Sequence, residues 1–254
     1  MSLKEVHTAE RKKWNALALK ASSLPTAILS PEDNFRNYAR KASTLVGVAE
    51  FLGDLGGERV LEYGCGLGEI SCLLANSGAN VTTFDLSENS ARVTQSRAIR
   101  NDLATEIDLS VAVGESLPYA EESFNVVFGR AILHHLHVGL GWGELHRVLK
   151  PGGKAAFVEP MGMNPVLNFV RDHVPYPLKN PRGADHPLDY QDIHDWGKAF
   201  SKFRFREIQL FSMFERGLGF NRPIPFLRKL DEVVLKYLPF LRRYCRYVVL
   251  YMIK

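Results

Sequence analysis

The chain has 254 residues, 46% hydrophobic and 24% charged, which suffices for one sizeable core and reads as a single domain with insertions. Three cysteines, Cys65, Cys72 and Cys245, at no paired spacing exclude a disulfide framework and a zinc-finger pattern. The net charge of +4 is uneven, with twelve Lys and Arg against four Asp and Glu from Ser201 onward. This basic excess fits a solvated face first, and otherwise an anionic substrate, a membrane surface or nucleic acid.

The charged stretch from Met1 to Trp14 lacks the apolar centre of a signal peptide, and no apolar run approaches the length of a membrane span. A cytoplasmic protein without integral membrane association is the expectation. Residues 1–24 read as a leading helix that packs over the domain and is broken at Leu24-Pro25. From Asn34 to Leu55, Tyr38, Leu45, Val48, Ala49 and Leu52 recur at helical spacing and predict one helix, ended by Gly53 and Gly56-Gly57.

Arg59 to Tyr63 is a short apolar run of the kind that forms a central parallel strand. Gly64, Gly66 and Gly68 follow it, and from Glu69 the positions Ile70, Leu73 and Leu74 are helical. Glycines between a strand end and a helix start allow φ values closed to other residues and let a ligand lie against the backbone. A dinucleotide loop needs its third glycine at position 69, where Glu69 would face a pyrophosphate. The pattern is instead Glu62-x-Gly64-x-Gly66-x-Gly68, acidic and suited to a ligand without phosphate. A tight turn with no ligand remains the alternative.

Asn80 to Phe84 predicts a second strand ending in Asp85, the position at which doubly wound folds place an acid for ribose hydroxyls. Asp85 also suits a helix cap. A helix over 90–103, a third strand over 107–113 and a fourth over 123–129 follow. His134, His135 and His137 then lie past the fourth strand, at the carboxyl edge where open α/β sheets bind ligands. Histidine titrates in the range useful to a general base, and the cluster lacks the partners of a zinc site. Pro151-Gly152-Gly153 predicts a turn and Lys154 to Glu159 a fifth strand. Residues 161–200 read as an irregular insertion, 203–211 and 244–253 as the last strands, and Phe220 to Arg243 as an amphipathic, basic helical excursion.

The loop Glu62 to Gly68, together with Glu115-Ser116-Leu117-Pro118-Tyr119, Ser123-Phe124, Leu133-His134-His135-Leu136 and Arg147-Val148-Leu149-Lys150-Pro151-Gly152-Gly153, resembles the type-11 domain of class I S-adenosylmethionine-dependent methyltransferases over residues 58–160. The resemblance implies an α/β, Rossmann-like, doubly wound and mostly parallel sheet of seven strands, with helices on both faces and late lid insertions. Residues 1–57 would be a helical cover, 58–160 the cofactor core and 161–254 the substrate lid and last strands. It implies S-adenosylmethionine held by Glu62, Gly64, Cys65, Gly66, Gly68, Asp85, Leu86, Gly114, Glu115, Ser116 and Arg130.

Two departures stand out. Val113 replaces the usual adenine-binding Asp, which leaves Gly114, Glu115 and Ser116 to hold the base, and Asn125 replaces a largely structural Asp. His134 and His135 are the candidate catalytic bases, with His186 and Tyr176 behind them; no metal is expected. The acceptor is expected to be a small apolar or aromatic metabolite, methylated on oxygen, nitrogen or carbon. It would sit under a lid of Met161, Met163, Phe169, Tyr176, Phe214, Phe220 and Phe226, with Arg216, Arg222 and Arg228 as an anion-recognition point. Gly129-Arg130-Ala131-Ile132 stands where nucleic-acid methyltransferases carry an Asn/Asp-Pro-Pro-Tyr motif, so no nucleic-acid partner is expected; the sequence allows a homodimer. The alternatives are a non-catalytic S-adenosylmethionine-binding regulator and a methyltransferase of lipid or isoprenoid acceptors at a membrane surface.

Overall fold

Strands form where the apolar runs are β-branched and aromatic: Arg59–Tyr63 (β1), Asn80–Asp85 (β2), Ile107–Val111 (β3), Phe124–Arg130 (β4), Leu149–Pro160 (β5), Lys202–Ile208 (β6) and Tyr247–Ile253 (β7). The computed structural model describes residues 2–45, 47–174, 186–217 and 224–254. The strands make one seven-stranded sheet in the order β3-β2-β1-β4-β5-β7-β6. β1 to β5 are mutually parallel, and β7 runs antiparallel between β5 and β6. After β1 the chain builds outward through β2 and β3, then returns to place β4 on the other side of β1. The connections leaving β1 and β4 therefore diverge, opening a crevice at their carboxyl ends.

Alternation along the strands feeds two cores. Leu61, Tyr63 and Val127 point to one face, with Leu145 of α6 (Val138–Val148) and Trp196 of α8 (Tyr190–Gly197). Val60, Val126 and Phe128 point to the other, with Ile70 and Leu74 of α4 (Glu69–Ala75). Burial on both faces explains why the central strands read as continuous apolar runs. This is the doubly wound, mostly parallel architecture that the sequence predicts.

Several expectations change. The single helix over 34–55 is two, α2 (Phe35–Lys41) and α3 (Val48–Leu52). The break falls where Ala42 turns extended and Gly47 takes φ +78°, so the periodic apolar residues Leu45 and Val48 reach one core without a continuous axis. The third strand ends at Val111, two residues early. Pro151-Gly152-Gly153 lies within β5, where the pairing with β4 jumps from Phe124–Leu149 to Val126–Lys154. The insertion after β5 contains helices: α7 (Pro165–His173), capped by the Asn164 side chain, and α8, with a reciprocal capping box between Asp189 and Asp192. α9 (Phe214–Gly217) precedes α10 (Pro225–Tyr237), which runs into a 3-10 turn over Pro239–Tyr244.

The leading helix, α1 (Leu3–Ala21), starts with a capping box between Ser2 and Glu5. It packs on α5 (Glu88–Arg100). Arg11 Nε donates to the Leu86 carbonyl at 3.1 Å, and the Ser87 hydroxyl donates to Asn15 Oδ1 at 2.6 Å. These bonds fix α1 across the carboxyl end of β2.

Candidate functional site

The crevice holds a cavity of about 210 Å³ lined by the ends of β1, β2, β3 and β4 and roofed by α1. Its floor is the glycine loop. Gly64, Gly66 and Gly68 have φ of +84°, +52° and +76°, the region that favours glycine. Only two of them line the cavity. At Gly66 a Cβ would find nothing nearer than the Trp14 ring at 3.9 Å, so this backbone is open to a ligand; at Gly68 a Cβ would meet Thr94 Cα at 2.8 Å. The third glycine thus serves the close approach of α5.

Asp85 stands at the cavity wall with its carboxylate already aimed. Oδ2 accepts from Gly66 N–H at 3.0 Å and Oδ1 from Ser87 N–H at 2.9 Å. Burial pushes its carboxyl up to about 6, against the opposing pull of those backbone bonds. Leu86, Gly114, Glu115 and Arg130 also line the cavity. Glu115 Oε1 accepts from His137 N–H at 3.0 Å, and its Oε2 lies 3.3 Å from His7 Nε2. Arg130 donates to the Tyr38 hydroxyl at 3.1 Å and stands 3.9 Å from Glu69.

Glu62, Cys65, Gly68 and Ser116 are not in the lining. Glu62 lies beneath the loop, accepting from the hydroxyls of Ser71 and Thr83, and burial raises its carboxyl to about 8. Cys65 is buried, with its N–H on the Phe84 carbonyl. Ser116 turns back toward Val113 in an isolated bridge. These residues shape the loops from behind.

The two candidate histidines separate. His134 Nδ1 is 2.7 Å from Glu159 Oε2, and both residues are buried outside the cavity. Glu159 also accepts from Ile132, Leu133 and His134 N–H at 2.9, 3.1 and 3.4 Å, so this carboxylate clamps the turn after β4. His135 packs against His134 with the rings tilted by 41° and lines the cavity, with Nδ1 3.5 Å from Glu10 Oε1. The exposed His186 pairs with Asp192 at 3.2 Å, away from the lining.

Among the described residues, none of the late segments lines this cavity. Met161 is buried in the core, Met163 packs against it, and Phe169, Phe214 and Phe226 face outward. Arg228 lines a separate cleft beside Asp231 and Glu232. Tyr176, Phe220, Arg222 and the Arg216 side chain lie outside the described residues. The lid and wall expected from residues 161–200 and 212–243 lie partly outside the described residues; among those described, His7, Glu10 and Trp14 of α1 line the cavity. Their spacing, i, i+3 and i+7, is one helical face, and a polar, aromatic stripe on an otherwise charged helix was the available signal.

Residues 61–157 match a family model described as a methyltransferase domain. Over 112 residues the chain is 35% identical to a demethylmenaquinone methyltransferase of Chlorobaculum parvum, covering 43% of this chain and 44% of that protein. The aligned stretch spans less than half the length of the curated relatives it matches. Among solved structures, the cyclase SpnF superposes with a TM-score of 0.62 at 19% identity, over 97% of this chain and 94% of that one. A geranyl diphosphate C-methyltransferase of Streptomyces coelicolor A3(2), solved with S-adenosyl-L-homocysteine, gives 0.59 at 13% identity, over 80% and 72%. At these identities the two structures speak for the fold alone.

Proposed function

We propose, from the match of residues 61–157 to the methyltransferase-domain model, that the protein binds S-adenosylmethionine in the cavity under α1 and methylates a small apolar or aromatic metabolite. The observation that carries this reading is the open backbone at Gly66, held by Asp85 at the carboxyl ends of β1 and β2. The donor set fits the cofactor. Glu10, Asp85 and Glu115 make the lining acidic, which suits a sulfonium and an ammonium and repels a pyrophosphate. When bound, the cofactor supplies a methyl group on a positively charged sulfur.

The chain's own residues then hold and desolvate. Asp85 keeps the loop open through Gly66 and presents its carboxylate to ribose hydroxyls. Trp14, Phe84, Leu86, Ile132 and Leu136 give apolar walls that exclude water. His135 is the group placed to accept a proton from the methyl acceptor, with Glu10 stabilising the imidazolium that forms. Alignment alone supplies much of the acceleration in such a displacement. The name of the curated relative, a demethylmenaquinone methyltransferase, supports an apolar acceptor.

Titration calorimetry with S-adenosylmethionine and S-adenosylhomocysteine tests the reading. Binding of both, and none of nicotinamide dinucleotides, is expected; no heat at millimolar sulfur ligand sinks it. Asp85→Ala should weaken binding by about 1.5 to 3 kcal/mol, the value of hydrogen bonds to a charged group, and Asp85→Asn by less.

A further inference from the structure

The late part of the chain turns large apolar side chains to water. Of sixteen such exposed residues among those described, ten lie between Val166 and Phe240. On α10 they form a stripe: Phe226, Val233 and Tyr237 are exposed at i, i+7 and i+11, with half-buried Leu230 between them. Asp231 and Leu235 bury the far side of the helix and half-buried Leu227 and Val234 lie between, so the apolar arc of this helix is wider than the protein covers. Phe226 and Tyr237 are 72% and 71% exposed, and Phe240 continues the surface into the 3-10 turn at 65%. α7 repeats the arrangement: none of its residues is buried, and Val166, Phe169 and Val170 are exposed. Asn164, the cap of α7, donates to the Tyr244 carbonyl at 2.7 Å, which joins the start of α7 to the end of the turn.

Charge selects the occupant. Residues 225–244 carry five Lys and Arg against two acids, with exposed Lys229 and Lys236 along one side of the stripe. A second copy docked through this face would set like charge against like. An anionic surface is complementary, and aromatic rings beside lysines are the chemistry of helices that lie in a headgroup layer. We propose that α10, the turn after it and α7 form a docking face for an anionic lipid bilayer. This goes beyond methyl transfer; its use, to reach an acceptor dissolved in the bilayer, rests on the function proposed above.

Cosedimentation of the whole chain with vesicles, without cofactor, tests the face independently of catalysis. The protein should sediment with phosphatidylcholine vesicles containing about one third phosphatidylglycerol, bind pure phosphatidylcholine at least roughly tenfold more weakly, and be released at about 0.5 M salt. The variant Phe226→Ser/Tyr237→Ser/Phe240→Ser should keep the wild-type melting temperature, because these side chains are exposed, and lose binding by roughly tenfold or more. Lys229→Gln/Lys236→Gln should lower affinity for the anionic vesicles by roughly tenfold. If the triple variant melts early, Phe226→Ser alone is read the same way. Absence of sedimentation with anionic vesicles, or unchanged sedimentation of the serine variants, overturns the proposal. So does a lipid-free dimer that the serine changes dissolve while wild type ignores vesicles.

Discussion

The first 160 residues and the remainder of the chain both feed the cores but differ in what else their apolar side chains do. In the first part they fill two cores and wall a cavity whose polar groups are held by backbone bonds, as Asp85 is by Gly66 and Ser87. In the second, β6 and β7 complete the sheet, but α7 and α10 present apolar faces outward. Cofactor chemistry needs fixed groups in a dry recess, whereas an extended soft partner needs area. Among the described residues, α1 rather than α7 or α10 walls the cavity.

The largest expected effect lies in the glycine loop. Gly68→Ala puts a Cβ 2.8 Å from Thr94 Cα at φ +76° and should cost about 3 kcal/mol or more in denaturant unfolding. Gly152→Ala, at φ +74° with open space around it, should cost about 1 to 2 kcal/mol. Equal costs would mean that the contact with α5 gives way.

His135→Gln should lower turnover by about 100-fold, as loss of a general base does, and remove a titrating limb from the pH profile. His134→Gln should act on stability through Glu159 instead. If both variants keep wild-type turnover and pH dependence, positioning alone accounts for the rate.

Glu62 separates loop support from ligand contact. Its carboxyl is raised by burial to about 8 in the folded protein from an ordinary 4.5, so the unfolded chain loses this proton first as pH rises. The stability from the neutral, buried form is complete below 4.5 and is lost between 4.5 and about 8. Asp85, raised to about 6, acts in the same direction at lower pH. The melting temperature of the ligand-free protein should fall between pH 5 and 8, and Glu62→Gln should flatten that slope; an unchanged slope would remove Glu62 as its source.

The smallest effect sharpens the comparison most directly. Trp14→Ala should weaken S-adenosylmethionine binding by about 1 to 2 kcal/mol through lost apolar cover. Phe169→Ser, on the outward face of α7, should leave it unchanged. A reversed order would return the late segment to the cavity.

Local chemistry made much of this protein legible in its residues. The parallel strands are apolar because both faces are covered, the loop glycines sit where φ must be positive, and Asp85 follows from the end of β2. The place of the crevice could be read from these, and the seven-stranded architecture from the family resemblance that the motifs carry. Other features depend on what meets what across the fold. Gly66 and Gly68 look alike in the chain, yet one opens on a cavity and the other admits Thr94, because only the packing of α5 distinguishes them. His134 and His135 are adjacent and identical, but a turn of the backbone gives one to Glu159 and the other to the cavity. Composition alone cannot say whether an aromatic residue faces inward, so Phe169 and Phe226 read as pocket while Trp14 read as cover. Sequence determined the periodicities and the special backbone positions, which are set within a few residues. The tertiary structure decided which side of each element met the cavity, because that depends on contacts between segments tens of residues apart, such as α1 lying across the end of β2.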